Sequence, residues 1–148
     1  MVRLLAYAAV VLIVLFAAAQ IVRPKPQGMP IDPARTIQAS LGPASGAPGV
    51  LDRACGDCHS NRAAVWPWYV HIAPMSWVVA NGVTEARKAV NYSDWAAYPP
   101  DQQQALLASS CRDAMQGKMP PSVYTALRPS ARLTGQDIQE ICAAAPKP

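Results

Sequence analysis

Cys55, Cys58 and His59 stand together in the run Cys-Gly-Asp-Cys-His, the spacing with which a chain grips a c-type haem. Two thiols add across the two vinyl groups of a porphyrin, and the adjacent imidazole reaches the iron from one side. Two intervening residues let one turn of chain present both sulfurs to the porphyrin edge, and the next side chain then falls beneath the metal. Cys55 and Cys58 are therefore the candidate anchors and His59 the candidate proximal ligand. Competing readings lack partners. The gap from Cys58 to His71 fits the start of a zinc finger, but Met75, Ser76 and Trp77 stand where its second histidine belongs. A thioredoxin-like pair would follow a buried strand, whereas Leu51-Asp52-Arg53-Ala54 precedes the motif and β-branched runs are absent there. A disulfide between Cys55 and Cys58 would close a very tight loop.

What fills the sixth position on the iron decides what such a centre does. The candidates are His71, Met75, Met115, Lys118 and Met119. Met119 is preferred because Pro120 and Pro121 fix the backbone beside it and keep its side chain out of helical packing. Met75 and Met115 fall at helical spacing with other apolar residues, where methionine usually packs a core. His71 is the rival ligand, and an imidazole there would give a bis-histidine centre of lower potential. An open position is the third alternative. Trp66, Trp68, Tyr69 and Trp77 are candidate neighbours of the porphyrin, where they would exclude water and raise the potential, or else form the ordinary core of a small domain.

These residues need a scaffold, and 148 residues allow one modest domain with accessory segments. The first 22 residues stand apart from it. Leu4 to Ala19 is wholly apolar, and the apolar character continues through Ile21 and Val22 with Gln20 the single interruption. Ala17-Ala18-Ala19 suits signal cleavage. The 19 residues from Leu4 to Val22 instead approach the roughly 20 that span a bilayer, which favours a retained anchor. Either way, later residues are exported, and covalent haem and disulfides both belong to an oxidising compartment. Residues 23–47 carry five prolines among glycines and serines, without a sustained apolar period, and read as a semi-extended tether or a strap across the domain surface. Residues 48–148 are the expected haem-binding domain. A net charge of +4, weak and scattered, gives no argument for nucleic acid and is compatible with an acidic redox partner or an anionic membrane.

The domain reads as all-α, a small cytochrome c-like helical fold around one haem. A short helix after Pro48 carries the Cys-Gly-Asp-Cys-His run on its last turn. Trp66-Pro67-Trp68-Tyr69 forms a turn, since its proline stops a helix. Pro74 opens a helix in which Met75, Val79, Val83, Ala86 and Val90 make one apolar stripe. Pro99 and Pro100 open another, with Leu107, Cys111 and Ala114 on one face and Gly117 placed to end it. Thr134 and Asp137 resemble a capping box ahead of a last helix facing inward through Ile138, Ile141 and Cys142. Cys111 and Cys142 thus lie on the apolar faces of two helices, as a disulfide pair or as two buried free thiols.

Taken together, Cys55-Gly56-Asp57-Cys58-His59-Ser60-Asn61, Trp66-Pro67-Trp68-Tyr69, Ile72-Ala73-Pro74, Ser76-Trp77 and Asn91-Tyr92-Ser93-Asp94-Trp95 resemble the bacterial haem-binding domain family of small membrane-tethered c-type cytochromes. Gly117-Lys118-Met119-Pro120-Pro121, Tyr124, Pro129 and Ala131-Arg132-Leu133 look like its second block. The likeness covers about residues 48 to 145. It implies one covalent haem c, an N-terminal export signal or anchor, and a periplasmic location in a Gram-negative bacterium, with residues 4–22 as the tether to the inner membrane. It names no substrate. Electron transfer with redox partner proteins is the first expectation, and a ligand sensor or small peroxidase with an open sixth position and His71 as distal acid or base is the alternative.

Overall fold

Capping residues and prolines set most of the element boundaries. The computed structural model describes residues 1–62, 64 and 66–145, so the last three residues of the expected haem-binding region lie outside the described residues, as do 63 and 65. Eight α-helices and four short 3-10 turns make up the described fold, which contains no strand. Helix α1 (Val2–Ala19) is apolar throughout and none of its residues is buried. It is long and apolar enough to cross a membrane.

The folded part begins earlier than residue 48. The segment read as a tether contains helix α2 (Ile37–Leu41), opened by the Thr36 hydroxyl accepting from the backbone N–H of Ala39. Ile37 is 0% exposed and belongs to the main core with Leu51, Tyr92, Trp95 and Ile141. Part of this segment therefore packs. A single helical turn with one buried residue has no period to read, which is why proline content dominated its sequence.

Helix α3 (Ala47–Ala54) leads through Cys55 into the single turn α4 (Gly56–His59), so the thiol–imidazole motif straddles a break between two helices. Helix α5 (Met75–Ala89) ends at Val90, which is extended and buried. Its stripe runs inward at Val83, which is buried. Helix α6 (Pro100–Met115) starts behind the proline pair and stops before Gly117, whose φ of +64° is open to glycine at little cost. Helix α7 (Ser122–Leu127) and helix α8 (Gly135–Ala144) complete the chain.

Helix α8 packs against both α6 and α3, while α4 packs against α5. Cys111 of α6 and Cys142 of α8 are joined in a disulfide that closes 31 residues of sequence. Thr134 caps α8 reciprocally with Asp137, whose other oxygen takes Arg53 of α3 at 2.5 Å. Partial burial raises the Asp137 pKa, but the Thr134 backbone and hydroxyl and the Arg53 guanidinium outweigh it and hold the carboxyl below its usual range.

Two outcomes test this packing. Ile37→Ala removes a fully buried side chain from the core and is expected to cost about 2–4 kcal/mol in urea unfolding. A loose tether would leave the midpoint unchanged. A carboxyl whose folded pKa is depressed stabilises the fold above its unfolded pKa of about 4 and loses that contribution as pH falls further. Asp137→Asn is therefore expected to lower stability at neutral pH and to flatten the acid limb of an unfolding-versus-pH curve.

Candidate haem site

His59 sits at the end of α4 between two clefts that it lines on both sides, together with Cys55 and Met119. Their non-atom space, which opens to solvent, is about 650 and 600 Å3. The first cleft is walled by Leu51, Val90, Tyr92, Leu106 and Ile141, with Ser109, Ser110 and Asp113 along one side. The second is walled by Ala54, Cys58, Gly82, Ala86, Pro120 and Tyr124. Gly82 and Ala86 are the small residues of α5 on this cleft, so little side-chain bulk stands between the helix backbone and the cleft.

The His59 imidazole is held from behind. Nδ1 of His59 donates to the Val90 carbonyl at 3.1 Å, which fixes the tautomer and leaves the lone pair on Nε2. Burial lowers the His59 pKa, although the Val90 and Ala86 carbonyls oppose the shift, so the ring stays neutral as a metal ligand requires. Tyr92 lies beside it with ring centroids 5.7 Å apart.

The Val90 carbonyl is itself positioned by a buried polar network. Asn91 Nδ2 donates to the Asn61 side-chain oxygen at 2.7 Å and to Asp94 Oδ2 at 2.9 Å, and the Asn61 amide donates to that same oxygen at 3.0 Å. The Ser93 hydroxyl accepts from the Asn61 backbone at 2.9 Å. These bonds tie the exit of α4 to the 3-10 turn Tyr92–Ala97. Asn91 is buried in this network, so the sequence Asn91-Tyr92-Ser93 presents no accessible glycosylation acceptor.

A second network crosses to the other wall. Asp57, inside the Cys-Gly-Asp-Cys-His run, is 3% exposed and accepts from Arg62 at 2.6 Å, Arg128 at 2.5 Å and the Tyr124 hydroxyl at 2.8 Å. Tyr124 belongs to α7 and Arg128 follows it, so the carboxylate clamps the segment after Met119 onto the motif helix. Burial opposes the charge on Arg62, yet Asp57 and Asp52 raise its pKa on balance. Tyr124 stays protonated, its pKa raised by burial and then by Asp57, and can go on donating. Sequence reasoning assigned no role to Asp57, Tyr124 or Arg128. The one available signal was a charged residue inside a motif whose helix must be buried.

Met119 reaches the site from the turn after α6. Gly117 N–H donates to the Ala114 carbonyl, and the amides of Lys118 and Met119 both donate to that of Asp113, at 2.9 and 3.3 Å. Met119 is 43% exposed and lines both clefts with His59. His71 lines neither cleft. Met75 faces a third cleft and Met115 the outer surface.

The aromatic residues expected around the porphyrin divide. Trp66 and Tyr69 line the third cleft, which shares Cys58, Gly82, Pro121 and Tyr124 with the second. Trp68 and Trp77 are exposed and stand apart from both clefts beside His59. Pro67 ends the extended backbone just before Trp68 and turns that ring outward into solvent. The aromatic cluster behind the histidine is Tyr92, Trp95 and Tyr98 instead.

Burial raises the thiol of Cys55 to about 12, with the neighbouring Cys58 adding to the effect. Cys58 is raised as well, by burial first and then by Asp57. Two neutral thiols, a tautomer-fixed imidazole and a thioether around mostly apolar walls form a donor set that fits a haem. Helical architecture and this donor set define a haem-binding protein. Residues 14–146 match the haem-binding domain family, and the chain belongs to it. No curated protein and no solved structure shows a significant match.

Replacing Asp57 by Asn leaves two guanidinium groups without their shared carboxylate. Because Arg62 keeps Asp52 and both arginines are partly exposed, the expected loss is about 2–4 kcal/mol in chemical denaturation. Tyr124→Phe, which removes one charge-assisted hydrogen bond, is expected to cost about 1–2 kcal/mol in the same assay.

Proposed function

We propose that the protein is a monohaem c-type cytochrome of the periplasm, held to the inner membrane by α1, that passes single electrons between redox partner proteins. The observation that carries the reading is the placement of His59 and Met119 on the same two clefts, together with Cys55. When bound, the haem supplies a one-electron iron couple.

The chain's own residues account for the rest. The Cys55 and Cys58 thiols would hold the haem as thioethers, each S–H adding across one vinyl group so that its hydrogen goes to the adjacent carbon. His59 offers Nε2 to the iron while Val90 keeps its ring oriented. Met119 offers a soft thioether that raises the potential relative to a second imidazole. Leu51, Val90, Leu106 and Ile141 exclude water, which disfavours added charge. The Cys111–Cys142 disulfide and the thioether chemistry suit an oxidising compartment. The length of α1 supports retention as an anchor.

A second reading, a ligand sensor or small peroxidase, draws on Asp113. Asp113 lines the first cleft with Met119, and its carboxylate is the acid or base nearest a molecule bound there in place of the thioether on this reading. His71, considered from sequence as that acid or base, lies outside both clefts.

Spectra of the protein matured with covalent haem separate the two. The ferric form is expected to show a sulfur-to-iron charge-transfer band near the red end, and the ferrous form to resist carbon monoxide. Met119→Ala is expected to abolish the band and admit carbon monoxide. A wild-type ferric form without the band that binds carbon monoxide rapidly on reduction would replace electron transfer with the ligand-binding reading.

A further inference from the structure

The chain leaving α1 is fastened to the folded domain. The Gln20 side chain accepts from the Ala73 backbone N–H at 3.0 Å and donates to the Ala73 carbonyl at 3.3 Å. Arg23 donates to the His71 carbonyl at 3.1 Å, and the Trp77 indole N–H donates to the Val22 carbonyl at 2.6 Å. Around this attachment stand large apolar side chains facing outward. Trp68 is 73% exposed, Trp77 41% and Val78 65%. Val78 also rims the third cleft opposite Val123 and Leu127, which are themselves exposed.

We propose that this patch lies in the headgroup and upper acyl layer of the bilayer that α1 enters, so that the domain rests on the membrane by one fixed face. The proposal rests on the reading of α1 as a retained anchor. An 18-residue helix rises about 27 Å, close to the roughly 30 Å of a bilayer's hydrocarbon core. Gln20 to Arg23 then fall at its boundary. With four hydrogen bonds made by side chains or carbonyls of residues 20, 22 and 23, no slack separates that boundary from the segment 71–77.

Trp77 is thereby placed at the interface, the depth at which tryptophan is enriched because its ring is apolar and its N–H polar. Its N–H already has a protein partner in Val22, so the ring can enter the apolar side without losing a hydrogen bond. Trp68, Val78, Val123 and Leu127 in water would form an exposed apolar patch of the kind that marks an interaction surface. Arg23 and Lys25 follow α1 directly and suit the phosphate layer. Since the third cleft shares Cys58 and Tyr124 with the second, the Cys58 side of the haem site faces the membrane.

The test uses the haem-loaded full chain in phosphatidylglycerol–phosphatidylcholine nanodiscs. The photo-crosslinker p-benzoylphenylalanine replaces one residue at a time: Ile13 in α1, Val78 in the patch, and Gln104 on α6, which packs on α8. Lipid adducts are read by intact mass, and haem absorbance confirms that each variant is folded. Adducts are expected at positions 13 and 78 and not at 104. Adducts at 13 without any at 78 overturn the resting face and leave the anchor standing. No adduct at 13 overturns the anchor and the proposal with it. Equal adducts at 78 and 104 overturn the fixed face by showing contact without orientation.

Discussion

A carboxylate buried inside the Cys-Gly-Asp-Cys-His run is the constraint on which the site depends. Asp57 is almost wholly removed from water, and a charge there is tolerable only with strong partners in good geometry. Those partners come from different parts of the chain. Arg62 follows the motif, and Tyr124 and Arg128 belong to the segment after Met119. Satisfying the charge therefore requires that the two walls of the cleft be assembled. An apolar residue at this position would not compel the segment after Met119 to close over the run.

The His59 side of the site is governed by a neutral counterpart of that arrangement. His59 takes its orientation from one backbone carbonyl, that of Val90, and this residue has just left α5 for extended backbone. An extended strand of one residue has no ladder to hold it. The Asn61–Asn91–Asp94 network supplies that hold, and the Asn91 backbone N–H donates to the Tyr98 hydroxyl at 2.9 Å. Buried amide pairs of this kind are costly unless complete, and here each amide nitrogen finds an acceptor. The imidazole is thus fixed by hydrogen bonds and the thioether loop by ions, two kinds of interaction with different sensitivity to solvent.

What could be read in the sequence was what is local. The Cys-Gly-Asp-Cys-His spacing, the α5 stripe around Val83, the stop at Gly117 and the Thr134–Asp137 cap all act within one or two turns of chain. Ile37 could not be read, because its burial depends on Leu51, Tyr92 and Ile141 arriving from elsewhere. Trp68 and Trp77 were drawn toward the haem by residue type alone. Nothing local tells a tryptophan facing a porphyrin from one facing outward, and the difference lies in which side of the Pro67 turn the fold covers. Tyr92 and Trp95, the aromatic residues that do back the histidine, sit in a 3-10 turn too short to show a period.

The strap that precedes the motif changes how the N-terminal helix relates to the site. If residues 23–47 were a free tether, the site would sample every orientation relative to α1. Instead Met29 donates its amide to the Asn61 carbonyl at 2.7 Å, and Arg87 of α5 donates to the Gln27 carbonyl at 2.9 Å. Ile37 then enters the core. The strap is bonded near Gln20, again near Gln27 and Met29, and anchored at Ile37, intervals too short for a flexible linker. Asn61, the residue that receives Met29, is also the one that joins the histidine-positioning network. The path from the apolar helix to His59 therefore runs through a few directly bonded residues.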